Sequence, residues 1–170
     1  MSHSIRIYVA DLAAYNSGYL HGAWIDATAE LEDIQEQIKA ILASSPVAGA
    51  EEYAIHDHEG FDGYSLGEYE GIEAAHDIAL FIEEYPDFGG ALLGNLGNLD
   101  DARKAAEENY CGCHKSLADY AQELTEESTE IPQNLRYYID YAAMARDMEL
   151  NGDVFTVETG YEEIHIFWNH

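Results

Sequence analysis

SLADYAQELTEESTE, residues 116–130, reads as one amphipathic helix. Leu117, Tyr120, Ala121 and Leu124 recur at i, i+3, i+4 and i+7 and therefore share one face. Ser116, with Asp119 three residues on, has the form of a capping box. Asp119, Glu123, Glu126, Glu127 and Glu130 lie elsewhere on the cylinder, with no basic residue among them. Such a helix forgoes the support of oppositely charged i,i+4 pairs. On its N-terminal side YCGCHK (110–115) is short and strand-like. On its C-terminal side Pro132 opens a second helical region, broken near Asp140 and closed by Asn151-Gly152. DVFTVETG and YEEIHIFWN then form a terminal hairpin around Gly160-Tyr161, with Val154, Val157, Ile164, Ile166 and Trp168 in the core.

The rest of the chain mixes strands and helices in the same way. IRIYVAD (5–11) alternates apolar Ile5, Ile7 and Val9 with Arg6 and Tyr8, a strand pattern. LAAYNSGYLHG (12–22) reads as a turn region and AWIDAT (23–28) as a second strand. Thr28 is placed to cap a helix running to about Ser44, with Leu31, Ile34, Ile38, Ile41 and Leu42 inward and Glu32, Asp33 and Glu36 outward. EEYAIHD (51–57) is a third strand, so residues 1–61 form a ββαβ unit. EGFDGYSLGEYEG (59–71) is loop. From Ile72 the spacing is helical until Pro86, the glycines of 87–97 leave room for a short helix, and Asn98 caps LDDARKAAEEN. The expectation is an α+β fold of three small units: an N-terminal unit (1–61), a helical middle unit (62–103), and a C-terminal α/β unit with antiparallel strands (104–170).

Composition narrows the function classes. The 170 residues are 47% hydrophobic, with 13 Tyr, enough to build a core. Against 7 Lys and Arg stand 34 Asp and Glu, a net charge of −27. Residues 1–61 carry ten acids and two bases, 62–103 ten and one, and 104–170 fourteen and four, so the parts are net −8, −9 and −10. No acidic run exceeds two residues, so this is an acidic folded surface and not a disordered tail. No segment has the ~20 apolar residues of a membrane span, and the N-terminus reads as a strand, not a signal peptide. Cys111 and Cys113 sit too close to staple a long loop, and a reducing cytoplasmic setting is expected.

Enzymatic chemistry finds little footing. His56, His58 and Glu59 offer a His-x-His pair on a strand, usable by a metal and by a metal-dependent hydrolase, but no third partner is evident. Cys111-Gly112-Cys113-His114 lacks zinc spacing and a second pair. There is no nucleophile elbow, P-loop or dinucleotide fingerprint. The expectation is no catalytic residue, no metal and no cofactor. The seven bases are scattered, and the net charge repels nucleic acid and membrane surfaces alike.

The acids themselves remain. B-DNA carries one charge per ~1.7 Å of axis, so 34 carboxylates at that density match roughly 58 Å, or ~17 base pairs. A compact chain of this length is only ~40 Å across, so duplex-like density suits an elongated shape. An acidic halophilic domain without mimicry is the alternative on composition.

The order of motifs adds to this. VADLAAYNSGYLHGAWIDA (9–27), EEYAIHDHEGFDG (51–63), YCGCHKSLADYAQELTEES (110–128), IPQNLRYYIDYAAMARDMEL (131–150) and the final IFW strand resemble, in order, the ArdA antirestriction proteins. The most specific parts are L-x-x-Y-N-x-G-x-L-x-G-x-W-x-D, filled by Leu12, Tyr15, Asn16, Gly18, Leu20, Gly22, Trp24 and Asp26, and Y-I-D-Y followed by Met144, Ala145 and Arg146. The resemblance implies an elongated, three-part homodimer that mimics bent B-DNA. It would occupy the DNA-binding groove of type I restriction–modification enzymes and protect incoming mobile DNA. The helix at 116–130 resembles the family's antirestriction motif, and the last third the part that supplies the dimer contact. The expected mimic surface is Asp119, Glu123, Glu126, Glu127 and Glu130, backed by Glu32, Asp33, Glu36, Asp77, Glu83 and Glu84. Leu117, Tyr120, Ala121 and Leu124 form the helix's core face near that contact. No function follows for Cys111 or Cys113.

Overall fold

A computed structural model describes residues 4–67 and 70–169. The fold is mixed α+β, with two antiparallel three-stranded sheets. The chain divides into two compact units, Met1–Gly90 and Ala91–His170.

In the first unit β1 (Arg6–Asp11) is the central strand, flanked by β2 (Gly22–Asp26) and β3 (Tyr53–Glu59). The alternation in the sequence becomes two faces: Ile7 and Val9 are fully buried, while Arg6 and Tyr8 lie on the other side. There Arg6 pairs with Glu59 and stacks over Trp24, and Tyr8 meets Trp24 edge-on. Helix α2 (Leu31–Ala43) packs on the sheet through Ile34, Ile38 and Ile41. Leu31 and Leu42 are only half-buried.

Two local expectations change. Residues 12–22 are not turn throughout: α1 (Leu12–Asn16) forms directly after β1, because the Asp11 carboxylate accepts the Ala14 N–H at 3.2 Å. Thr28 does not cap α2. Its N–H and hydroxyl both donate to Asp26 (2.9 and 2.7 Å), which closes a turn instead, and α2 starts after Glu30 with no side-chain cap.

Helix α3 (Ile72–Glu84) buries Ile72, Ala75, Ile78, Ala79, Phe81 and Ile82, a wider face than the helical series Ile72, Ala75, Ala79 and Ile82 by itself. His76 ties it to β2 by donating from Nδ1 to the Ala27 carbonyl (2.8 Å). After Pro86 comes α4 (Gly89–Leu96). A Cβ on Gly90 would lie 2.6 Å from the Phe61 carbonyl oxygen, so only glycine permits this approach to the 60–63 turn.

In the second unit α5 (Leu99–Lys104), capped by Asn98, runs into a π-helical turn (Ala105–Asn109). Then follow β4 (Tyr110–His114), α6 (Leu117–Ser128), a 3-10 turn (Gln133–Tyr138), α7 (Tyr141–Leu150), β5 (Val154–Gly160) and β6 (Glu163–Trp168). Asp140 breaks the helical region by capping α7, accepting the Ala143 N–H at 2.9 Å. The sheet order β4-β6-β5 makes the last strand central. One face of it, with Ile166, joins Val154, Leu117, Tyr120, Ala121 and Ala145 in the core. The other stacks Phe167 between Phe155 and Tyr110, beside buried His165. A one-residue bulge between Tyr110 and Cys113, with Gly112 at φ +101°, separates the two thiols. Cys111 packs against the core and Cys113 is exposed.

Candidate functional site

Helix α6 is built as its spacing requires. Ser116 is extended and its hydroxyl accepts the Asp119 N–H at 3.1 Å, which starts the helix. Leu117, Tyr120 and Ala121 are buried, and Leu124 is half-buried against the same cluster. Burial, with the Cys111 thiol beside it, raises the Tyr120 hydroxyl above the usual tyrosine range, so it stays protonated. The helix ends at Ser128 and Thr129 is extended, so Glu130 lies beyond it and not on the cylinder.

Asp119, Glu123 and Glu127 follow one another at i,i+4 on the exposed side, a line about 12 Å long at 1.5 Å per residue. Glu126 stands beside it and accepts a hydrogen bond from Gln122 (3.1 Å). Glu123 lies 3.4 Å from His114 Nδ1 at the end of β4. On the first unit Glu32, Asp33 and Glu36 are exposed on α2, and Asp77, Glu83 and Glu84 on α3. All eleven carboxylates of the expected surface are therefore exposed, ten of them on helices and Glu130 just beyond α6.

Their positions along the helices differ in meaning. Glu32 and Asp33 occupy the first turn of α2, where the helix dipole favours an anion. Glu83 and Glu84 end α3, and Glu126 and Glu127 lie at the end of α6; neither last turn holds a base. There the dipole opposes them, and a cation would gain about 0.3–1 kcal/mol instead. The helix dipole does not account for Glu83, Glu126 or Glu127.

His56 and His58 both border a shallow cleft of about 420 Å³ with Tyr15, Ile55, Asp57 and Leu66. They are engaged separately. The β3 register shifts at His56, whose ring meets Tyr15 edge-on at 4.9 Å. His58 packs on Phe61, and its Nε2 accepts the Leu66 N–H at 3.4 Å. Glu59 is paired with Arg6. Among the described residues no three His, Cys, Asp or Glu side chains are grouped to hold a metal ion.

The exposure of one apolar group is not indicated by the sequence pattern. Tyr15, Tyr19 and Leu20 stand out from α1 and the following turn at 53%, 55% and 90% exposure. Apolar residues in a segment punctuated by Asn and Gly carry no periodicity, so their outward placement had no signal beyond the lack of one.

The fold and this surface define a class: an acidic α+β protein that displays carboxylates on its helices. No helix among the described residues is long and apolar enough to cross a membrane. The sequence model of the ArdA antirestriction proteins matches residues 7–163, nearly the whole chain. The protein belongs to that family, which implies an antirestriction function and an interaction with restriction enzymes. A comparison with curated proteins finds no match.

Proposed function

We propose that the protein inhibits type I restriction–modification enzymes by acting as a mimic of B-DNA, with side-chain carboxylates standing in for phosphates in the enzyme's DNA-binding groove. The observation that carries this reading is the exposure of Glu83 at the end of α3 and of Glu126 and Glu127 at the end of α6, which the helix dipole disfavours and no base within those turns offsets. A positively charged groove would supply the missing counter-charge. Association is then steered by charge and weakens with salt.

The same proposal includes the parts the family resemblance implies: an elongated three-part organisation (1–61, 62–103, 104–170), a homodimer joined through the last third, and action in the cytoplasm on behalf of incoming mobile DNA. It assigns no catalytic role. Exposed Leu135, Tyr137, Tyr138 and Leu150 in the second unit support the dimer. The test is competition between the protein and DNA for a type I enzyme at about 0.1 M salt, repeated as salt rises. Displacement of DNA that fades with salt is expected. Lack of displacement at low salt refutes the proposal. An acidic halophilic domain would instead lose its helical signal in a low-salt circular dichroism titration, whereas the mimic keeps it.

A further inference from the structure

The first unit holds an apolar knob within an acidic surface. Tyr15, Tyr19 and Leu20 fall within six residues, and the loop that carries them is fixed at both ends. Tyr19 N–H donates to the Ala14 carbonyl (2.8 Å) and Gly18 N–H to that of Tyr15 (3.1 Å). Gly18 takes φ +86°, which suits glycine. Asp11 caps α1 from within the core, and its N–H donates to the His21 carbonyl (2.9 Å) where the loop returns. His21 in turn donates from Nε2 to the Ile41 carbonyl at the end of α2 (2.7 Å). The side chains are thus held outward by an anchored backbone. Tyr53, 40% exposed, lies on β3 opposite Asp11, exposed Glu51 and Glu52 precede it in the chain, and exposed Asp57 lines one cleft with Tyr15.

Charge selects what covers this knob. A net charge of −27 opposes nucleic acid and an anionic membrane surface. A second copy paired here about a two-fold axis would bring exposed Asp57, in the cleft beside Tyr15, towards its own equivalent. A cationic protein face meets neither objection. The tyrosine rings and Leu20 offer apolar surface to the aliphatic stems of arginine and lysine side chains, whose charged ends the Asp57 carboxylate beside Tyr15 can meet. We propose that Tyr15, Tyr19 and Leu20 form an anchor that docks onto an arginine- or lysine-bearing face of the restriction enzyme and supplies affinity that salt does not screen. This rests on the mimic reading and deepens it: carboxylates provide the salt-dependent part of binding and the knob the salt-independent part.

The experiment combines Tyr15→Ala, Tyr19→Ala and Leu20→Ala in the full chain. Competition with DNA for a type I enzyme is read by fluorescence anisotropy across a salt series. Binding about tenfold weaker at every salt concentration is expected, with an unchanged slope of log affinity against log salt. A second variant, Glu123→Gln with Glu126→Gln and Glu127→Gln, is expected to flatten that slope. A triple alanine variant that competes as well as the wild type, or whose deficit comes with a changed slope, overturns the anchor. If circular dichroism shows that variant misfolded, Leu20→Ser decides in the same assay: weaker competition at constant slope supports the anchor, and wild-type competition overturns it. A wild type that competes at no salt concentration removes the mimic reading and the anchor together. A competing wild type matched by the variant removes the anchor alone.

Discussion

Asp11 joins β1 to α1 from a fully buried position. Burial by itself would raise its pKa, but the nearby Ser45 side chain, the hydrogen bond from the Ala14 N–H and the His21 ring hold it below the ordinary 3.8. Between that lowered value and 3.8 the unfolded chain binds the extra proton, so stability rises with pH there. The contribution is complete above pH 3.8 and is lost as pH falls through the folded value. Asp11→Ala is expected to cost about 1–2 kcal/mol near neutral pH through loss of the cap. In urea titrations the gap from the wild type should narrow below pH 3.8. A gap that stays constant into acid would mean that the carboxylate is not held as described. At the same scale Gly60 shows why one small residue is required. Its φ is +84°, and a Cβ there would run into the Ser4 carbonyl.

Helix α6 separates stability from function along a single element. Its buried side carries the packing, so Leu117→Ala should destabilise the protein by about 2–5 kcal/mol and disturb the placement of the acidic line. Its exposed side holds five of the carboxylates only if Glu130, beyond the last turn, is counted with it. Because many acids share the load, Glu123→Gln alone should leave the melting temperature and the inhibition close to wild type. Loss of inhibition by that one change, with the fold intact, would contradict distributed mimicry. Glu127→Lys makes the sharper prediction. It places a cation in the last turn, where the dipole gains about 0.3–1 kcal/mol, yet it reverses a charge on the proposed binding surface. Higher thermal stability with weaker competition against DNA is the expected pair of results. Unchanged competition would remove Glu127 from the surface.

For the whole molecule, charge and apolar exposure have to be reconciled. Self-association of a chain at −27 is opposed by repulsion unless apolar burial exceeds it. The 3-10 turn Gln133–Tyr138 buries none of its residues, and Tyr137 and Tyr138 are 90% and 84% exposed. They are the natural source of that burial in the proposed dimer. Tyr137→Glu with Tyr138→Glu is expected to convert a dimer to monomer in analytical ultracentrifugation while the circular dichroism spectrum is kept. A wild-type monomer at micromolar concentration, or a dimer unaffected by the pair, would refute this contact.

The sequence by itself determined the elements whose patterns are local. The alternation of Ile5, Ile7 and Val9, the i,i+3,i+4 series of α6 and the caps at Ser116 and Asn98 follow from periods of two and 3.6 and from short-range hydrogen bonds. The family was legible as well, since it lies in the order of motifs along nearly the whole chain. Tertiary structure decided what depends on distant residues. The alternating core positions of the last strand were readable, but burial of His165 and Phe167 on its second face was not, because only sheet order makes β6 central. Thr28 had the right chemistry for a cap, and Asp26 claimed it first. A one-residue register shift separated Cys111 from Cys113. The placement of Tyr15, Tyr19 and Leu20 outside the core depended on a buried cap at Asp11 and on His21 reaching the end of α2. Periodicity reports which residues share a face; which faces find a partner is settled only when strands and helices meet.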